Sequence, residues 1–219
     1  MAVEGPVQKK VYTEELGITK DHLLAFGDAI FAFAITLLVI EVKFPDLAPT
    51  ATDADLINGI LNASPAIVSY IISFFVIAIY WQSFHLVLAY MTRIDRRIVS
   101  LSVLLLFFIA FMPFPTKIMG FYPARLPAVV FYAISIMISS LILWVIWYYG
   151  AIRRNYVSPA TDSHFKRYMS VKIITIAGLF ALSVPIAFFD PLIAMLTWGL
   201  NPVIDMGIRH LFNVRLSKD

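Results

Sequence analysis

The chemically most informative feature of the chain is a single acidic residue, Asp28, inside a long apolar run. The run HLLAFGDAIFAFAITLLVIEVKF covers residues 22–44, and a helix needs about 20 residues to cross a bilayer. A carboxylate inside such a helix costs about 2.5 to 3.5 kcal/mol on insertion scales, so it normally faces protein or water and serves a purpose. Function is therefore expected at Asp28 and its partners.

One polar residue of the second apolar run is expected at the depth of Asp28, and another one turn deeper. Asp28 lies six residues after the start of the first run, and His85 lies five before the end of the second at residue 90. At 1.5 Å per residue, two consecutive antiparallel helices place both about 8 to 9 Å from the same membrane face. Trp81 lies one turn deeper and offers an indole N–H. This pattern predicts that Asp28, His85 and Trp81 either form a polar clasp between two helices or take a direct part in proton or ion transfer.

The elements that position these residues are predicted to be membrane helices. The chain is 60% hydrophobic and only 14% charged, whereas soluble domains are about 45 to 50% apolar. It contains no cysteine, so the sequence predicts neither a disulfide framework nor a thiol-ligated metal. Its first 21 residues are polar and lack an apolar signal region, and we expect the first hydrophobic segment to be retained as an anchor.

Six segments approach the length of a membrane span. The predicted spans are 22–44, 65–90, 98–119, 126–150, 169–189 and 191–213. They predict an all-α integral membrane protein with one transmembrane domain over residues 22–213, flanked by short tails at 1–21 and 214–219. The sixth span contains Gly199, Asn201, Pro202 and Asp205, and we expect it to be kinked or partly re-entrant.

The distribution of basic residues predicts the orientation of these spans. Of the 17 Lys and Arg residues, all but Lys43, Lys117 and Arg125 lie in the tails, in the second and fourth connections or at the adjacent helix ends. The positive-inside rule then places both termini in the cytoplasm, which requires an even number of spans and predicts a multi-pass protein of the cell membrane. A cluster of aromatic residues at the cytoplasmic end of the fourth span is predicted to form an interfacial belt. Its members are Trp144, Trp147, Tyr148 and Tyr149. No soluble domain with a basic face is present, so nucleic-acid binding is not predicted.

The first helix carries two adjacent stripes of side chains. The large apolar stripe consists of Phe26, Phe33, Leu37, Ile40 and Phe44, and the small stripe of Ala25, Ala29, Ala32 and Thr36. Small stripes let helices approach closely in lipid. Large stripes usually face lipid or core, so periodicity alone leaves a pore-lining role for the large stripe open.

Three stretches resemble the prokaryotic relatives of the lysosomal potassium channel called transmembrane protein 175. The first-helix match consists of His22, Phe26, Gly27, Asp28 and the ThrLeuLeu at 36–38, with Glu41 and Pro45 following, and it is similar to the family pattern of Arg, three residues, then Phe-Ser-Asp. The other two stretches are TyrTrp at 80 and 81 with His85, and SVLLLFFIAFMPFPT at 102–116. The chain departs from the family at His22, Gly27 and Ser102, where arginine, serine and asparagine are expected.

The resemblance implies a homotetramer of six-span subunits whose four first helices surround a central pore for monovalent cations. On that pattern Phe33, Leu37 and Ile40 form the constriction and Thr36 supplies a ring of hydroxyls, while His22, Phe26, Asp28, Trp81 and His85 form the signature network. No TVGYG-like segment occurs, so a carbonyl-lined filter is excluded, and a narrow apolar ring gates by expelling water. Potassium is then the permeant ion, and no cofactor or bound metal is predicted.

The same residues also bear on three other functions. A secondary transporter usually shows broken helices in matching positions of two repeats, and only the sixth span here is interrupted. A membrane-embedded enzyme needs several convergent ionisable groups, and no HExxH or GxSxG motif is present. Proton permeation, as a proton channel or a proton-coupled transporter, stays open because Asp28, His85 and His22 are titratable.

Overall fold

The structure is a computed structural model that describes residues 17–212. Every regular element in this range is helical. The α-helices are α1 (Lys20–Ile40), α2 (Asp53–Tyr90), α3 (Arg96–Phe111), α4 (Pro113–Phe121), α5 (Leu126–Trp147), α6 (Ser163–Phe189), α7 (Pro191–Trp198) and α8 (Asn201–Leu211), and a π-helical turn (Tyr148–Arg153) follows α5. Of the predicted tails, residues 1–16 and 214–219 lie outside the described residues.

The described helices agree with a protein that crosses a membrane several times. Five of them are long and apolar enough to cross, with α3 and α4 counted as one span and α5 joined to its π-helical turn. The pair α7 and α8 passes the same test together, with a bend of 44° between its two parts. The predicted kink of the sixth segment is therefore confirmed.

Helix α2 begins 12 residues before the predicted span at residue 65. A capping box starts it, in which Thr52 Oγ1 accepts from the Asp55 N–H and Asp55 Oδ2 accepts from the Thr52 N–H. Pro65 lies inside this helix and has no N–H for the carbonyl of Leu61. The hydroxyl of Ser64 donates to that carbonyl at 2.6 Å, so the helix continues through the proline.

Helix α5 lies at the centre of the subunit and packs against α3, α4, α6 and α7. Two buried tyrosines join it to α2 and satisfy their hydroxyls in the apolar interior. Tyr80 of α2 donates to the carbonyl of Ile136 at 2.8 Å, and Tyr132 of α5 pairs with Ser73 of α2 at 3.0 Å. Buried hydroxyls are costly without partners, so these contacts fix how α2 and α5 pack.

The bent pair α7 and α8 returns along α6. The ring of Phe212, just after α8, lies 5.3 Å from the His164 ring and 5.7 Å from the Tyr168 ring. Both of these residues belong to the first two turns of α6. The end of α8 therefore lies at the level where α6 begins.

The predicted aromatic belt after α5 divides into exposed and buried members. Tyr148 is exposed, but Trp147 is fully buried and its indole N–H donates to the carbonyl of Lys166 at 3.1 Å. Tyr149 is also buried, and its hydroxyl donates to Asp95. For these two residues the interfacial assignment was wrong, because both are held inside the protein by specific hydrogen bonds.

Candidate functional site

Helix α1 has one buried face and one face without a partner in the subunit. Its buried residues are Leu23, Gly27, Phe31, Ala34 and Leu38, which follow a helical period and pack against α2 and α3. Thr19 caps the helix by accepting the N–H of His22 at 3.2 Å. The opposite face of the helix is consequently open on the surface of the single subunit.

Helices α1 and α2 lie close together at Gly27. A Cβ atom at this position would lie 2.7 Å from Cε1 of Phe84, whose ring is fully buried. The ring of Phe84 also packs against that of Phe31, with centroids 5.9 Å apart. Gly27, one of the departures from the family pattern, therefore complements a phenylalanine on α2.

The predicted contact of Asp28 with Trp81 and His85 is present. Oδ1 of Asp28 accepts the indole N–H of Trp81 at 2.7 Å and lies 2.6 Å from Nε2 of His85. The Trp81 and His85 rings lie 5.1 Å apart on neighbouring turns of α2. We call this group the Asp28 clasp. About half of the Asp28 side chain and a third of the His85 side chain are exposed in one subunit.

The other two residues of the predicted signature network lie outside the clasp. His22 precedes Asp28 by six residues on the same helix, a rise of about 9 Å, and points to a different side. Phe26 is half exposed and belongs to the open surface of α1. The structure therefore unites three of the five predicted network residues.

The predicted constriction residues lie on the open surface of α1. Phe33 is 61% exposed and Ile40, the last residue of the helix, is 68% exposed, while Leu37 is half-buried. Leu38, the next residue along the chain, is fully buried. Phe44, the last member of the predicted large stripe, follows the helix and packs against Gly59 of α2.

Thr36 is exposed on the same surface of α1. Its hydroxyl donates to the carbonyl of Phe33 at 2.9 Å, three residues earlier in the helix. This bond consumes the hydroxyl hydrogen and leaves the oxygen lone pairs of Thr36 as acceptors. An oxygen in this state is a ligand that a monovalent cation can use.

A second polar contact holds the C-terminal end of α1. Oε2 of Glu41, the residue that caps the end of α1, lies 2.8 Å from Nζ of Lys117 on α4. Sequence reasoning missed this pair because Lys117 lies in a different predicted span. The α1 helix is thus held by polar contacts near both ends and by apolar packing between them.

A polar cluster at the connections around α3 was also missed. Asp95 caps α3 by accepting the N–H of Ile98 at 3.0 Å, and its other oxygen accepts the hydroxyls of Tyr149 at 2.6 Å and Tyr156 at 3.3 Å. Burial raises the pKa of Asp95, but the hydrogen bonds outweigh this effect and hold the pKa below its ordinary value. The guanidinium of Arg154 donates to the Tyr149 hydroxyl at 3.1 Å. The cluster ties the connection before α3 to the connection after α5.

Within residues 17–212, no group of three or more His, Asp or Glu side chains is arranged to hold a metal ion. The titratable pair of the candidate site is therefore that of Asp28 and His85. Fold and site together define a multi-pass helical membrane protein. Its first helix is held to the rest of the subunit by polar contacts and a buried apolar face, and its opposite face is open.

The comparisons with known proteins identify the family. A family model described as endosomal/lysosomal potassium channel TMEM175 matches residues 22–113, which contain α2, α3 and all but the first two residues of α1. A potassium channel of Chamaesiphon minutus is 31% identical over 144 residues, which cover 64% of this chain and 70% of that protein. The chain belongs to the TMEM175 family.

Other relatives extend the likeness over more of the chain. A potassium channel of Streptomyces collinus is 28% identical over 184 residues, covering 80% of this chain and 86% of the relative. A vertebrate relative from Danio rerio, named an endosomal/lysosomal proton channel, is 22% identical over 59% of this chain and 24% of its own length. The likeness to the bacterial channels thus reaches beyond the three helices of the family match.

A solved structure supports the fold. The crystal structure of a lysosomal potassium-selective channel TMEM175 homolog from Chamaesiphon minutus superposes with a TM-score of 0.71 at 24% identity. The superposition covers 89% of this chain and 98% of that one. The arrangement of helices described above is therefore the TMEM175 fold.

Proposed function

We propose that four copies of this chain form a potassium-permeable channel whose pore is lined by the open face of α1. The observation that carries the proposal is the chemistry of that surface. Besides Phe33 and Ile40 it exposes the carboxylate of Asp28 and the hydroxyl of Thr36. Contact between a carboxylate and lipid tails is costly, so this side of α1 is expected to face other subunits and water.

The two stripes of α1 have different roles in this arrangement. The small stripe, with Ala25, Ala29 and Ala32 exposed, lets the α1 helices of neighbouring subunits pack closely. The adjacent large stripe then turns toward the pore axis. Phe33 and Ile40 are seven residues apart, so the apolar constriction is about 10 Å long.

The constriction supplies the gate. A ring of apolar side chains that is narrow enough expels water, and an ion without its hydration shell does not pass. A small rotation or tilt of α1 widens the ring and lets water in. The Asp28 clasp holds α1 in its N-terminal half, and the Glu41–Lys117 pair holds its C-terminal end. A rotation or tilt of α1 would pivot on these two contacts.

Selectivity in this proposal comes from partial dehydration and from Thr36. Four Thr36 oxygens, each with its hydrogen turned to the carbonyl of Phe33, form a ring of cation ligands just beside Leu37. Such a ring holds a cation less tightly than the stacked carbonyls of a TVGYG filter. Weaker discrimination between potassium and sodium is expected.

Orientation and span number follow from charge and from the path of α8. The return of Phe212 to the start of α6 supports counting α7 and α8 as one broken span, which gives six crossings. With the basic residues on the inside, both termini lie in the cytoplasm of the cell that carries the channel in its plasma membrane. Tags fused at Met1 and Asp219 should resist external protease in intact cells, and cleavage of either tag would contradict this topology.

A channel is favoured over an enzyme. The relatives described above carry the names of channels, and the deep ionisable groups around α1 reduce to Asp28 and His85. A hydrolytic or transfer reaction would need further convergent groups.

Proton conduction is the second candidate, and the hydrogen bond between Asp28 and His85 favours it. The two groups are in direct contact, and both are partly exposed on the subunit surface. A carboxylate and an imidazole in contact can pass a proton between them. In a proton-coupled transporter the same pair would bind the proton that drives transport.

Current recording in planar bilayers distinguishes these functions. With potassium, sodium and proton gradients set separately, the proposed channel gives a reversal potential that follows the potassium gradient. A reversal potential that follows only the proton gradient would favour the proton path. Substrate-dependent currents without a steady conductance would favour a transporter, and the absence of any current would overturn the channel.

A further inference from the structure

A polar cavity lies away from the pore surface, between α2, α6 and α8. Its volume is about 240 Å³. Polar side chains from all three helices line it: Gln82 and Ser83 from α2, Lys172 and Thr175 from α6, and Asp205 and Arg209 from α8. Nothing in the proposed conduction mechanism uses these residues.

The charges in this cavity do not balance. Oδ1 of Asp205 lies 3.3 Å from Nζ of Lys172, and Oδ2 of Asp205 accepts a hydrogen bond from the guanidinium of Arg209. One carboxylate thus faces two cations, which leaves one net positive charge. Charges in a membrane helix are normally paired because desolvation is costly, so the surplus favours an anionic occupant.

One donor in the cluster has no acceptor. Nε of Arg209 is buried and has no hydrogen-bond partner within residues 17–212, and the buried Oδ1 of Asp205, 3.3 Å from Nζ of Lys172, also makes no hydrogen bond there. A buried donor without an acceptor costs about 1 to 3 kcal/mol, more when it is charged. A phosphate oxygen placed beside Arg209 would accept this hydrogen and balance the second cation in the geometry that guanidinium groups favour.

The rest of the wall is mostly apolar. It consists of Ile79 and Leu86 of α2, Ile176 of α6, and Pro202, Ile204 and Ile208 of α8, with Asn201 as one further polar residue. A cavity with a cationic end and an apolar wall matches an amphiphile with an anionic head better than a free ion. The cationic groups would hold the phosphate, and the isoleucines would contact the glycerol and upper acyl chain.

The depth of the cavity fits the head of a lipid. Lys172 lies three residues inside the apolar stretch that begins at Met169, about 4.5 Å along the helix. The connections with most of the basic residues are on the same side, since α6 starts there and α8 ends there. Basic pockets between membrane helices on that side bind lipid headgroups.

We infer that this cavity binds the phosphate-bearing headgroup of an anionic phospholipid from the leaflet on the side of the basic connections. The bound headgroup contacts α2, α6 and α8, which all line the cavity. It therefore stabilises the bent pair of α7 and α8 against the rest of the subunit. This inference does not depend on the ion that the pore conducts.

Native mass spectrometry of the intact purified protein tests the site with three probes: phosphatidylglycerol, phosphatidylcholine and inorganic phosphate. Phosphatidylglycerol should bind more tightly than phosphatidylcholine, and inorganic phosphate should not displace it. Equal binding of the two lipids would overturn the role of charge. Displacement by millimolar inorganic phosphate would overturn the lipid as the ligand.

Variants locate the site and give effects of opposite sign. Lys172→Gln and Arg209→Gln should each weaken phosphatidylglycerol binding by about fivefold, and Asp205→Asn should strengthen it by a similar factor. Arg153→Gln is the matched control, because it removes one charge from an exposed residue on the same side and outside the cavity. Equal weakening by Lys172→Gln, Arg209→Gln and Arg153→Gln, or weaker binding to Asp205→Asn, would overturn the site.

Discussion

Gly27 and Phe84 fit so closely that a Cβ atom at position 27 would lie 2.7 Å from Cε1 of the phenylalanine ring. The ring is fully buried against Phe31, and packed interiors leave little room for such a ring to withdraw. The missing side chain therefore sets the separation of α1 and α2 directly beside Asp28.

Replacing Gly27 with serine should destabilise the protein by about 1 to 3 kcal/mol, because it overpacks this contact. Thermal melting of the purified protein measures the loss. Gly178→Ser is the control, since a Cβ at Gly178 of α6 would meet no atom within 4 Å. Phe84→Leu should restore part of the stability of Gly27→Ser. Equal losses at the two glycines, or no recovery by Phe84→Leu, would contradict the proposed fit.

Replacing Leu37 with serine should raise conductance or leak, because a polar side chain in the proposed constriction would make wetting easier. Single-channel recording in bilayers gives the measurement. Leu38→Ser is the matched control one residue away. Leu38 is fully buried in the subunit, so its replacement should cost stability, about 2 to 5 kcal/mol for a large-to-small change in a core, and leave the pore of the folded fraction unchanged. Similar conductance changes at both positions would mean that α1 is rotated relative to the proposed pore.

The parts of the site that depend on depth and helical period could be predicted from sequence. Asp28, Trp81 and His85 lie on consecutive antiparallel helices at countable distances from the same membrane face, and the costly carboxylate must find donors. The same periodicity places Leu38 on the buried side of α1 and Phe33 on the open side. These inferences need only the rise and the period of a helix.

Contacts that depend on how distant helices pack could not be predicted. In α5 nearly every residue is apolar, so the sequence does not tell which aromatic residues face protein, and Trp147 and Tyr149 are buried. In the sequence, Asp205 indicates only an interruption of the last span. Its partner Lys172 is 33 positions away and comes near it only because α8 returns along α6. Pro65 is typical of a helix start, but α2 continues through it because the hydroxyl of Ser64 donates to the carbonyl of Leu61 that the proline leaves without a backbone partner.

The pH dependence of stability should contain a contribution from Asp95. Its pKa in the folded protein lies below the ordinary value because Tyr149, the Ile98 N–H and Tyr156 hydrogen-bond the charged form against the effect of burial. A lowered folded pKa gives stability that is present above the unfolded pKa of about 3.9 and is lost as the pH falls through the folded pKa. The melting temperature should therefore fall below about pH 4.

Asp95→Asn isolates this contribution, because asparagine still caps α3 but carries no charge. The variant should melt at a lower temperature than the parent protein at neutral pH, and the difference should shrink in acid. Asp46→Asn, in the exposed connection after α1, is the control for removal of one carboxylate. A difference between Asp95→Asn and the parent that is constant with pH would show that the hydrogen bonds of Asp95 do not favour its charged form.

Asp28→Asn should reduce the stability of the assembled protein before it alters ion selectivity. Asparagine keeps the volume of Asp28 but removes its negative charge. In the parent protein, Oδ1 of Asp28 accepts the indole N–H of Trp81 at 2.7 Å and lies 2.6 Å from Nε2 of His85. Loss of one partner from such a polar group costs about 1 to 3 kcal/mol, and more where a charge is involved. Thermal melting and size-exclusion chromatography of the same samples report stability and assembly.

His85→Ala should have a similar effect, and the double variant should be less than additive because both changes remove one interaction. Potassium, sodium and proton fluxes measured on the same reconstituted samples separate the two roles of Asp28. If Asp28 only anchors α1 to α2, its flux ratios stay constant while melting temperature and assembly decline. Unchanged melting and assembly with an altered proton or potassium flux would place Asp28 in the permeation path, since a carboxylate that conducts need not hold the helices together.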